Sequence, residues 1–175
     1  NETNVEMFSL QAYPQPFTSS PTLDNTTFVL PSDDLAVWQV ALQLAFEMGR
    51  KANISLSDLA VSFGDEVDQS RHLVVLGIPS ETKIIPQLSK AMPLPFAADA
   101  NAPVENNELP LDFRVPETAD VGYLELFRTP WNENLLALTV LGNSQTGLEQ
   151  AASALIDPQA HNQLWGNFAI ADAGQ

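Results

Sequence analysis

The chain's reactive side chains are few and one-sided. Its 175 residues include two histidines, no cysteine, seven Lys and Arg, and 22 Asp and Glu. Without a thiol there is no thiolate nucleophile, no Cys-ligated metal and no disulfide. His72 and His161 lie far apart, and neither is followed at i+3 or i+4 by a metal-type partner. Both read as surface or packing residues. Asp33 and Asp34 follow a β-rich run, where an acidic pair holds Mg²⁺ in a phosphoacceptor domain. That chemistry also needs an aspartate ending the central strand and a lysine ending a late one; those places hold Gly77-Ile78 and Gly142-Asn143. Helix capping accounts for the pair without a metal. Asp65, Glu66 and Asp68 form a charge run lacking the ligand spacing of a Ca²⁺ loop. There is no G-x-S-x-G elbow, G-x-G-x-x-G turn or G-x-x-x-x-G-K-[ST] loop. A carboxylate pair for glycoside cleavage is a matter of spatial separation, on which sequence is silent.

The formal net charge is −15, and the basic residues Arg50, Lys51, Arg71, Lys83, Lys90, Arg114 and Arg128 are scattered. Nucleic acid needs clustered cations, so it is excluded as a partner, and anionic lipid is disfavoured for the same reason. No run approaches the ~18 apolar residues of a membrane span. The chain starts with Asn and shows no signal-peptide pattern, which reads as a piece of something longer. Of three tryptophans, Trp38 falls on a helical core stripe and Trp165 precedes a helix-ending Gly, where it packs. Trp131 is the exposed candidate for contact with a sugar or protein. A structural role, as a lid folded back over its own hairpin, is preferred to direct ligand contact.

These residues need elements to position them. Residues 1–24, with Pro14, Pro16 and Pro21, read as a linker or N-terminal arm docked through Phe8, Leu10, Tyr13 and Phe17. Thr27–Leu30 is a short strand. Ser32-Asp33-Asp34 starts a helix running to Ala52, with Leu35, Trp38, Leu42, Ala45 and Met48 as its apolar stripe, widened by Val37, Val40, Ala41 and Leu44. Strands follow at 58–63 and 72–77, then a short helix from Ser80 to Leu88. Residues 92–119 hold five prolines and form a long loop, an interaction surface or an insertion. Asp120–Phe127 and Leu135–Leu141 flank Pro130-Trp131-Asn132 and must pair antiparallel. Two helices and a last strand at 167–171 complete the chain. Strands interleaved with helices predict an α/β sandwich with a mixed, mostly parallel sheet and one antiparallel hairpin. In such sheets ligands sit at the carboxyl ends of strands. That selects the loops at Pro31–Asp34, Gly77–Ser80 and Gly142–Ser144. The first carries two aspartates and none is rich in cations, so a phosphate-bearing cofactor is not expected.

In order along the chain, "TTFVLPSDD", "ALQLAFEMGRKAN", "HLVVLGIPSE", "DVGYLELFRTPWNENLLALTVLGNSQTGLEQAASALIDP" and "LWGNFAI" resemble the BcsB family, the regulatory subunits of bacterial cellulose synthases. The run from Gly122 to Leu155 carries most of the likeness, which spans most of residues 25–171. The resemblance implies a flavodoxin-like three-layer α/β module, here a single domain over 25–175, from an envelope protein that also carries carbohydrate-binding jelly rolls and a membrane anchor. It implies an extracytoplasmic place, with the parent protein anchored in the inner or cytoplasmic membrane. Its implied partners are the cellulose-synthesising catalytic subunit, the adjacent carbohydrate-binding modules and the glucan. It supplies no catalytic residues, metal ligands or cofactor. The family's usual description mentions cyclic di-GMP, but the chain has no arginine-rich motif and its charge opposes a dianion. The expected role is a non-catalytic scaffold presenting Trp131, Asn132 and Tyr123, with the 92–119 loop beside them. The alternatives are a direct carbohydrate-binding or carbohydrate-active domain, and a degenerate nucleotide- or flavin-binding fold.

Overall fold

The computed structural model describes residues 8–31, 33–52, 58–104 and 119–172. Ser32 of the expected cap, and 105–118 of the expected long loop, lie outside them. The elements are β1 (Thr26–Leu30), α1 (Leu35–Ala52), β2 (Ala60–Phe63), β3 (His72–Gly77), α2 (Ile85–Leu88), β4 (Val121–Thr129), β5 (Asn132–Gly142), α3 (Gln145–Ile156), α4 (Pro158–His161) and β6 (Phe168–Asp172).

All six strands join one sheet, in the order β2-β1-β3-β5-β4-β6. β1 pairs parallel with β2 and β3, and β3 with β5. β4 pairs antiparallel with both β5 and β6. The sheet is mixed and holds the expected antiparallel hairpin, β4 with β5, but the expectation of a single antiparallel pair is corrected by a second, β4 with β6. The cause is the last crossover. β5 leads through α3 and α4 to β6, which runs parallel to β5 but lands beyond β4 and so pairs with a strand of opposite direction. The order also leaves the flavodoxin-like 2-1-3-4-5 pattern after β3, because β5 rather than β4 lies beside it.

One face of the sheet presents Phe28, Leu30, Val74, Leu76, Leu124, Leu126, Leu138 and Val140 to α1, α3 and the amino-terminal segment. Leu10, Tyr13 and Phe17 of that segment are buried in this core. Leu10 N–H donates to Gly166 O (2.7 Å), and Thr26 Oγ1 donates to Phe17 O (2.7 Å). The other face, with Val29, Leu73, Val75, Tyr123, Phe127 and Leu141, is covered by α2 and by Met92, Leu94 and Phe96 of the following loop.

α1 departs from its expected phase. Its core stripe is Val37, Val40, Ala41, Leu44, Ala45 and Met48, at i, i+3, i+4, i+7, i+8 and i+11. Leu35 and Leu42 point to solvent instead, and Trp38 is only half-buried. Nearly every position from 35 to 48 is apolar, so two stripes compete in the sequence and only packing selects one. The helix starts on Asp34, whose Oδ1 accepts the N–H groups of Ala36 (2.8 Å) and Val37 (3.3 Å). At its end Lys51 Nζ donates to Leu155 O (3.0 Å), tying α1 to α3.

α3 approaches the sheet through glycine. A Cβ on Gly122, Gly142 or Gly147 would come under 3.0 Å from the backbone of the facing element. The Gly-Asn-Ser-x-x-Gly part of the recognised run is thus a close-packing device between strand ends and a helix start.

Candidate interaction surfaces

The structure separates the three residues expected to share a surface. Tyr123 is 0% exposed and lies beneath Phe96, with ring centroids 5.4 Å apart. Burial raises its phenol pKa. Its placement at a surface is therefore corrected: Tyr123 lies on the face of the sheet that α2 and the loop after it cover. Trp131 is half-buried, its ring packed on the same core and its Nε1 buried with no partner among the described residues. Asn132 folds back on the hairpin: its Oδ1 accepts Asn134 N–H (3.0 Å), and its carbonyl accepts from Thr129 Oγ1 (2.8 Å). Trp131 and Asn132 stay together at the tip, while Tyr123 pairs with Leu141 near the other end of the hairpin.

The strand-tip loops are closed by their own side chains. Asp34 takes the helix-start amides of α1 that a phosphate would need. At α3, Ser144 Oγ accepts Gly147 N–H (3.1 Å) and donates to Asp120 (2.5 Å). Asn143 bridges the β4 entry, accepting Val121 N–H (2.8 Å) and donating to Ala119 O (2.7 Å). Thr82 Oγ1 donates to Ile78 O (2.8 Å) and closes the loop after β3. A small cleft of about 400 Å³ remains between these loops, lined by Asp33, Glu81, Thr82 and Lys83.

The titratable groups are built into the fold. His72 Nδ1 accepts Leu136 N–H (2.9 Å), and burial lowers its pKa. His161 packs against Tyr13, ring centroids 6.4 Å apart. Sequence reasoning gave Glu125 no role beyond its strand. It is 0% exposed, and its Oε2 accepts Leu94 N–H (2.7 Å) while Oε1 has no partner among the described residues. Burial pushes its pKa up to about 8, opposed by the Leu94 bond. Among the described residues, no group of three or more His, Asp and Glu side chains is placed to hold a metal.

The exposed features lie elsewhere. On the outer face of α1, Leu35 is 81%, Leu42 67% and Phe46 65% exposed. Trp38 stacks on Phe63 of β2, centroids 5.3 Å apart, extending the apolar surface to the sheet edge. Phe46 also walls a groove of about 560 Å³ against Ile156 and Pro158. Trp165, expected to pack, is 73% exposed. Beyond β4, a polar groove of about 830 Å³ runs between β6, α3 and α4. Only the apolar run of α1 was visible in sequence, and it was assigned to the core. Among the described residues, no helix is long and apolar enough to cross a membrane.

No curated protein matches the chain. A solved structure described as "Structure of CpGH84D" is similar over 85% of this chain and 20% of its own length, at 14% identity and a TM-score of 0.40. The chain spans about one-fifth of that protein, and so low a score carries no argument. The family described as "Cellulose synthase BcsB, second FD domain" matches residues 4–140, and with most of its length so matched this chain belongs to that family.

Proposed function

We propose that this domain is a non-catalytic interaction module of a cellulose synthase accessory subunit, placed outside the cytoplasmic membrane in a flavodoxin-related scaffold, where it helps position the glucan. The observation that carries the reading is the outer face of α1. From Leu35 to Phe46 the helix has no charged side chain, and its exposed positions hold Leu35, Leu42 and Phe46 beside the neutral Gln39 and Gln43. Burying each would contribute about 1.5–3 kcal/mol. Val61 and Phe63, each 46% exposed, extend the patch on the sheet edge, and a larger exposed apolar surface marks an interaction site. A second copy is opposed by a net charge of −15 on each chain. A neighbouring domain of the same subunit, held close by its tether, is the occupant that fits.

The non-catalytic part of the reading is supported by the use to which reactive groups are put. His72 and Glu125 accept backbone N–H groups, and Glu125 is sealed from solvent. The nucleotide alternative is weakened by Asp34, which occupies the amides such a ligand would need.

The test is Leu42→Glu with Phe46→Glu in the full-length subunit, followed by co-purification with the catalytic subunit and by protease resistance between domains. Loss of assembly or new cleavage between domains is expected, with the melting temperature of the 175-residue chain unchanged. Intact assembly, protease resistance and glucan output would remove α1 as a docking face.

A further inference from the structure

β6 ends the sheet beyond β4, and no strand of the described residues pairs with its outer side. The bond from Leu126 N–H to Asn167 O (2.7 Å) sets the phase of its pairing with β4. In an antiparallel ladder only alternate residues bond to a given neighbour, so Asn167, Ala169 and Ala171 turn their backbone groups towards β4. Phe168 and Ile170 turn theirs outwards. Edges of this kind are ordinarily blunted by Lys, by Pro or by a bulge. β6 reads Phe-Ala-Ile-Ala-Asp and keeps an unbroken register with β4 along its length, so it has none of these.

The groove of about 830 Å³ against α3 and α4 lies along the same strand. Ala154, Ala160, Leu164, Ala169 and Ala171 give it an apolar lining, Glu149 and Asp157 add carboxylates, and no Lys, Arg or His among the described residues lines it. Both carboxylates are held in place by the fold. Asp157 Oδ1 accepts Gln159 and Ala160 N–H (2.7 and 3.0 Å), and Glu149 Oε1 accepts from Gln145 (3.1 Å).

An open strand edge selects an extended backbone. The outward groups of Phe168 and Ile170 recur at ~6.8 Å, the two-residue repeat of a β-strand. A peptide added there draws affinity from backbone hydrogen bonds and selectivity from alternate side chains. Every second side chain would point to the α3 side, over the alanines. Lys and Arg suit that course, because their aliphatic stems cover apolar surface while the cationic heads reach a carboxylate. The residues between them would stand beside Ile170, which is 37% exposed and favours β-branched neighbours.

We propose that the β6 edge takes up an extended basic segment of a partner protein, added antiparallel as a further strand, with Lys or Arg at every second position and β-branched residues between. A second copy of this chain is the rival occupant, and a net charge of −15 on each copy opposes it. The site lies at the opposite end of the sheet from β2 and the α1 patch, so it stands or falls independently of the docking role proposed for that patch.

The experiment is ¹H–¹⁵N titration of the 175-residue chain with an acetylated, amidated peptide of alternating Lys and Val, seven residues long. Its comparators are the same peptide with Glu for Lys and the Lys peptide N-methylated at each Val. Saturable shifts confined to β6, α3 and α4 are expected. N-methylation and Ile170→Pro should each weaken binding by about tenfold or more, the loss of a hydrogen bond. Glu149→Lys should weaken it by about threefold, as for an exposed ion pair. The Ile170 N–H faces away from β4, where proline is tolerated in an edge strand, and Glu149 is exposed. If Ile170→Pro does not fold, the N-methylated peptide makes the same comparison on the unaltered chain. Absence of shifts at millimolar peptide, equal binding of the N-methylated or the Glu peptide, or β6 shifts that follow protein concentration without peptide would overturn the proposal.

Discussion

The two faces of the sheet solve one burial problem with different covers. On one, α1 and α3 bring backbones whose hydrogen bonds are already met internally, so the contact is almost purely apolar. On the other, α2 has a single turn and the rest of the cover is irregular. Irregular backbone arrives with donors and acceptors to satisfy, and side chains meet them. Leu94 N–H finds Glu125, Ser80 N–H finds Asn101 Oδ1 (3.0 Å), and Ser89 Oγ donates to Phe96 O (2.8 Å). The carboxyl inside the sheet is therefore the consequence of covering a strand with a loop. Where α1 and α3 cover the other face there is no counterpart among the described residues, for the buried side chains they set against the sheet are all apolar; where the irregular amino-terminal segment covers it, Thr26 Oγ1 again meets a backbone group, Phe17 O.

The largest effect should come from breaking the helical cover at its closest approach. In an ordinary helix Gly→Ala stabilises by about 1 kcal/mol. At Gly147 the new Cβ would meet the carbonyl of Val121 under 3.0 Å away, and backbone cannot rotate aside as a side chain can. Gly147→Ala is therefore expected to destabilise by about 4–5 kcal/mol, above the usual overpacking range, as read from urea unfolding. A stabilised variant would show that α3 does not sit as close as described.

Glu125→Gln probes the loop-covered face with an effect nearly as large and of opposite sign. Glu125 keeps its proton in the folded state up to about pH 8, against an ordinary value of 4.5 in the unfolded chain. The folded state thus binds the extra proton between those values. Stability from this group is complete below the unfolded value and is lost as pH rises through the folded one, on the order of 4 kcal/mol in all. Burial lowers the pKa of His72 and His161, which gives the reverse trend around and below their ordinary value of 6.5. The clean window is therefore pH 7 to about 8.5. There the wild type should weaken with pH while Glu125→Gln, still able to accept Leu94 N–H, stays flat and becomes the more stable protein. Parallel slopes for the two would mean that Glu125 ionises without penalty.

A paired truncation sharpens the contrast further. Leu44 and Leu94 are both fully buried, one under the helix and one in the loop. Leu44→Ala should cost about 3–5 kcal/mol because α1 cannot collapse into the cavity. Leu94→Ala should cost about 2 kcal/mol because its loop can shift, a difference readable from the same urea curves. Equal losses would indicate that the loop is as rigid as the helix.

How much of this was legible follows from the same contrast. The strands at 72–77 and 167–171 and the helix ending at Ala52 are set by local pattern, and the structure places them within a residue or so of expectation. The phase of α1 was not, because Leu35, Trp38 and Leu42 make as good a stripe as Val37, Val40 and Leu44 until a sheet is laid beneath one of them. Tyr123 failed for a related reason: period-two alternation identifies two faces but not which of them a distant loop will cover. The tryptophans divide in the same way. Trp131 packs on the core of the second face, as the lid reading has it, whereas Trp165, expected to pack ahead of a helix-ending glycine, is 73% exposed. The Gly122–Leu155 run carried the family likeness, while its physical meaning, glycines admitting α3 to the sheet, needed the three-dimensional contact.

The smallest expected effect compares two carboxylates in similar work. Asp34 and Glu125 each accept backbone N–H groups from a covering element, but Asp34 does so near the surface at a helix start and Glu125 does so inside the sheet. Removing the acceptor at a helix start leaves amides that water can reach, so Asp34→Ala should cost only about 1 kcal/mol. Its sharper consequence is chemical. The freed amides of Ala36 and Val37 stand at the positive end of an eighteen-residue helix, the arrangement that attracts anions. Millimolar phosphate should therefore raise the melting temperature of Asp34→Ala and leave the wild type unmoved. If phosphate stabilises both equally, the Asp34 carboxylate does not occupy the site, and the nucleotide alternative regains the footing that this side chain denies it.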